Sequence, residues 1–65
     1  MTTQKQKQAI RDLLNQQDDE MFRLAMAIDK AEDPKEVLLL RRRYDSTEGA
    51  YFAIIEVMKI LGIKA

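Results

Sequence analysis

Asp33-Pro34-Lys35-Glu36, at the middle of a 65-residue chain, decides the fold. Asp is a strong N-cap because its carboxylate accepts hydrogen bonds from unpaired first-turn N–H groups. Pro suits the first helical position, where no N–H is needed. Glu36, three residues after Asp33, is placed to reach back and complete a capping box. A helix therefore starts at Pro34, and any helix arriving from the N-terminal side must stop just before it.

On that side, Ile10, Leu14, Met21, Leu24, Ile28 and Ala31 recur at intervals of three and four, interrupted only by Gln17. Leu13 and Ala25 widen this stripe, and Gln4 to Lys30 contains neither Gly nor Pro. The pattern predicts one helix over about 4–31. On the other side, Val37, Leu40, Tyr44, Thr47, Tyr51, Ile54, Met58 and Leu61 continue the same spacing up to Gly62, which suits a C-terminal cap, so a second helix covers about 34–61. Asp45-Ser46-Thr47-Glu48-Gly49 is poor in helix formers, and a kink at 45–49 would split this segment. The apolar phase is unchanged from Tyr44 to Tyr51, which favours a continuous helix. Gly49 then costs ~1 kcal/mol relative to Ala and calls for a packing reason.

So short a connection makes the helices antiparallel neighbours. The class is all-α, a helical hairpin in a single domain spanning 1–65. Counting outward from the turn sets Ile28 near Val37, Leu24 near Leu40, Met21 near Tyr44, Leu14 near Tyr51 and Ile10 near Ile54. Gln17 falls opposite Thr47, and a hydrogen bond between them is expected to fix the register.

A chain of this size buries only ~60% of the surface its unfolded form exposes. With no Cys and no His, it lacks disulfides and the usual transition-metal ligands, which leaves association as the supplement. The apolar balance points the same way. Ala50 to Leu61 carries only Glu56 and Lys59 as charges, yet faces a narrow stripe of Ala9, Ile10, Leu13 and Leu14. Ile55, Val57, Ile60 and Leu61 cannot all be covered, at ~1.5–3 kcal/mol for each side chain left in water. A homodimeric four-helix bundle with Tyr51, Ile54, Met58 and Leu61 in its core is expected, and a heteromeric complex would cover the same face. Gly49, Ala50 and Ala53 would allow close helix approach.

Eleven acidic and eleven basic residues cancel, giving no overall field for nucleic acid or a membrane surface. Met1-Thr2-Thr3-Gln4-Lys5 has no secretory character and no run approaches a membrane span, so a cytoplasmic location without membrane contact is expected. Asp18-Asp19-Glu20 points to successive sides of a helix and cannot converge on one cation. No cofactor, metal or small-molecule substrate is expected. The chain lacks Cys, His, a phosphate loop and paired interior carboxylates, and a hairpin provides no concave pocket; enzymatic activity is not expected.

Two features remain for function. Phe22 and Met26 lie off the main stripe of the first helix, while Phe52, beside Ile55, shares the polar side of the second with Glu56 and Lys59. These four are candidate contacts for a partner protein. Arg41-Arg42-Arg43 could meet phosphates, although solvation with Arg41 paired to Asp45 is the simpler reading. The layout resembles that of the Rop family of plasmid copy-number regulators, helical hairpins that dimerise into a four-helix bundle. That resemblance implies a dimer binding RNA or DNA, here through Arg41, Arg42 and Arg43. The residues themselves favour a small regulatory or adaptor protein of bacterial, phage or mobile-element origin that acts by protein contact. A structural subunit of a larger assembly is the third reading.

Overall fold

The computed structural model describes residues 2–64, so Met1 and Ala65 of the 1–65 domain lie outside the described residues. Two helices, α1 (Gln4–Lys30) and α2 (Pro34–Leu61), form an antiparallel hairpin. α1 starts on a capping box: the Thr3 hydroxyl accepts from the Gln6 N–H at 3.1 Å, and Gln6 Oε1 accepts from the Thr3 N–H at 2.9 Å. It ends one residue earlier than expected. Ala31 has extended backbone and donates to the Ala27 and Ile28 carbonyls, satisfying the last turn.

Asp33 caps α2 by accepting from the Lys35 N–H at 3.0 Å, with Pro34 opening the helix. The anticipated capping box is incomplete. Among the described residues no hydrogen bond runs from the Asp33 N–H to Glu36, which sits exposed in the first turn; there its charge still favours the positive end of the helix.

α2 runs unbroken through Asp45–Gly49. The Gln17–Thr47 bond does not form: the Thr47 hydroxyl donates instead to the Arg43 carbonyl at 2.8 Å, the local alternative that a helical Thr has one turn back. Gly49 has no packing reason within the chain, since a Cβ there would meet nothing within 4 Å. The inter-helix register agrees with the counted pairs. Glu20 meets Arg43 across the seam at 3.5 Å, Met21 and Tyr44 line one depression, and Ile10 and Ile54 line another.

The open end is closed by the expected Gly62 cap and by Ile63, which lies beyond the three-and-four spacing of α2. Gly62 adopts φ 69°, its N–H donates to the Lys59 carbonyl at 3.2 Å, and the Ile63 N–H donates to the Met58 carbonyl at 2.8 Å. This Schellman geometry brings the residue after the glycine back over the last turn. Ile63 is accordingly buried with Met58 and Leu14, and Ile10, Tyr51, Ile54 and Ile55 pack around them. Arg11 Nε donates to the Lys64 carbonyl at 2.7 Å, tying the tail to α1.

The result is long and thin, 48 × 15 × 12 Å between Cα atoms. Its radius of gyration is 14.5 Å, against about 11 Å for a compact chain of this length. Only Leu14, Leu24, Met58 and Ile63 are buried among the described residues. No described helix is long and apolar enough to cross a membrane.

Candidate interaction faces

Side-chain direction follows from the heptad phase of each helix about the seam, about 3.5 residues per turn, which the buried and half-buried positions keep along both helices. The hairpin has two flanks where both helices contribute side chains, and two outer backs. One flank holds Ala9, Leu13, Glu20, Arg23, Ala27 and Lys30 of α1 beside Glu36, Leu39, Arg43, Ala50, Ala53, Val57 and Ile60 of α2. The Glu20–Arg43 pair and a groove of about 210 Å³, lined only by Ile10, Leu13, Ala53, Ile54 and Val57, fix this assignment. The other flank holds Arg11, Asp18, Phe22 and Ala25 beside Leu38, Arg41, Glu48, Phe52 and Lys59, with Asp18, Phe22, Ala25 and Tyr44 lining one depression.

The flanks differ in character. On the first, neither helix carries a charge in the half nearest the open end: Arg11 and Lys59 lie on the opposite flank, Lys5, Asp12 and Glu56 on the outer backs, and Lys7 at the end of the seam. Its large side chains stand in water, Ile60 at 80% exposure and Val57, Leu13 and Leu61 each above 40%. On the second flank, apolar groups are isolated among charges. Phe22 is 68% exposed and Phe52 56%, with Phe52 edge-on to Tyr51 at 5.5 Å between ring centres.

Of the four candidate partner contacts, Phe22 and Phe52 share the second flank. They are separated along the hairpin by about ten helical steps, on the order of 15 Å. Met26 lies one turn from Phe22 on the outer back of α1. Ile55 is half-buried against the Leu14–Met58–Ile63 cluster. Of the residues assigned to a core, Met58 is buried, Tyr51 and Ile54 are half-buried, and Leu61 is half-exposed while Ile63 packs against the cluster. Gly49, grouped with Ala50 and Ala53 as a close-approach stretch, instead lies on the outer back of α2.

The three arginines, all exposed, go to three different sides. Arg41 borders Tyr44 and Ile28 on the second flank, Arg42 is on the outer back, and Arg43 turns to Glu20 on the first flank. The anticipated Arg41–Asp45 pair is absent among the described residues, whereas Arg43 pairs across the seam with Glu20, which is level with it. Among the described residues no three potential metal ligands come together. Compared with protein-family models, curated proteins and solved structures, the chain matches none.

Ile63 could have been found from sequence, since an apolar residue directly after a capping glycine commonly packs on the last helical turn. Thr3-Gln4-Lys5-Gln6 likewise spells the capping box that starts α1.

Proposed function

We propose that the chain is a small, non-enzymatic regulatory or adaptor protein of a bacterial or phage-type system, working in the cytoplasm by protein contact through its helix faces. The observation that carries this reading is that both phenylalanines stand more than half exposed on one flank, while only four side chains are buried among the described residues. Exposed aromatic rings are effective anchors because they add large apolar area with few rotatable bonds. Asp18, Asp19 and Arg41 around Phe22, and Lys59 nearer Phe52, would give a partner helix both polarity and register.

Isolation of the tagged protein from its own cells, with wild type compared to Phe22→Ser/Phe52→Ser, tests the reading. The expected result is a partner retained in fixed proportion by wild type and lost from a variant of unchanged helicity. Equal retention by the variant overturns it. Salt-steep binding of structured RNA, lost on Arg41→Ala/Arg42→Ala, would favour the Rop-like reading instead.

A further inference from the structure

The charge-free half of the first flank is a different surface from the Phe22 flank and needs a different occupant. We infer that it is a self-interface: two hairpins pack flank to flank about a two-fold axis parallel to their length, with both turns at the same end. The area suits a second copy. The chain exposes 5242 Å², whereas a compact monomer of 7.6 kDa exposes about 4,300 Å². The excess, roughly 900 Å², is close to the ~800 Å² each partner contributes to a stable interface.

Shape and charge select the orientation. Rotation about the long axis keeps every residue at its own height and sets α1 of one copy against α2 of the other. Leu13 then meets the second copy's Ala53 and Val57, the side chains it already neighbours within its own chain, and Ile60 is drawn out of water. The two small alanines let the helices approach. Nearer the turn, Glu20 of one copy comes level with Arg43 of the other, and Lys30 with Glu36, so both pairs join opposite charges, and Arg23 is left beside Leu39. A two-fold axis across the helices at mid-height would instead set Arg43 against Ala50 and Ala53 and Glu20 against Leu13, desolvating charge without a partner. Overlap through the open ends alone would leave Leu39, 60% exposed on the same flank, in water.

The chain has no cysteine, so Glu32→Cys places a single spin label in the loop at the turn. Pulsed dipolar spectroscopy on this otherwise native chain, with its mass measured across dilution, tests the inference. A dimer with labels closer than about 30 Å is expected, since packed helices lie ~10 Å apart and the label arms add the rest. Labels separated by the hairpin length of 48 Å or more, or a monomer at every concentration, overturn it. Val57→Lys is expected to weaken the dimer by about tenfold or more, while Phe52→Lys on the opposite flank leaves it intact. The reverse pattern also overturns the assignment. Should Val57→Lys fail to fold, the label distance in the native chain still decides.

Discussion

The two halves of the hairpin share one seam but are finished differently. Near the turn, the chain reverses within Ala31, Glu32 and Asp33, Leu24 is buried, and both flanks carry charges of mixed sign. Near the open end no covalent turn holds the helices together. There a three-residue cluster of Leu14, Met58 and Ile63, the Gly62 cap and the Arg11–Lys64 bond do that work, beside a flank without charge. A short loop makes neighbouring contacts cheap in chain entropy, whereas contacts between Arg11 and Lys64 must close nearly the whole chain. More apolar contact is therefore needed at the open end, and some of it remains on the surface.

The largest expected effect probes the seam in both halves. Leu24→Ala and Leu14→Ala should each cost about 2–5 kcal/mol, followed as loss of helicity in urea. Equal losses would support one cooperative seam; a loss confined to Leu24→Ala would show that the open end frays independently. Next come the caps. Asp33→Ala at the turn should cost about 1 kcal/mol, and Gly62→Ala at the open end about 1–2 kcal/mol because of its positive φ. Thermal melts measure both, and Gly62→Ala should also unlock Ile63, seen as faster amide exchange at Ile63 than in wild type. The smallest effect should be a gain. Gly49→Ala meets no neighbouring atom and should stabilise by somewhat under ~1 kcal/mol, raising the melting temperature. A destabilised variant would place the back of α2 in a contact between molecules.

Much of the fold was legible because its signals are local. Asp33-Pro34 set the turn, and three-and-four spacing set the stripes. Apolar phase correctly outweighed the poor helix formers at Asp45–Gly49, because seam packing on both sides holds that segment in line. Individual hydrogen bonds were less legible. Thr47 had a carbonyl within its own helix and took it in preference to Gln17, and Glu20 drew Arg43 across the seam while Arg41 remained apart from Asp45. The candidate surfaces were legible only in part: Phe22 and Phe52 read as off-stripe, but their common flank depends on how the two helices face each other.

By itself the sequence determined two long helices, their turn and their register, since caps and periodicity act within a few residues. Only the tertiary structure decided that Ile63 packs on Leu14 of the other helix, that the arginines separate to three sides, and that Leu13 joins Val57 and Ile60 on one charge-free flank. Those outcomes depend on the rotation of one helix against the other, which brings together residues far apart in the chain.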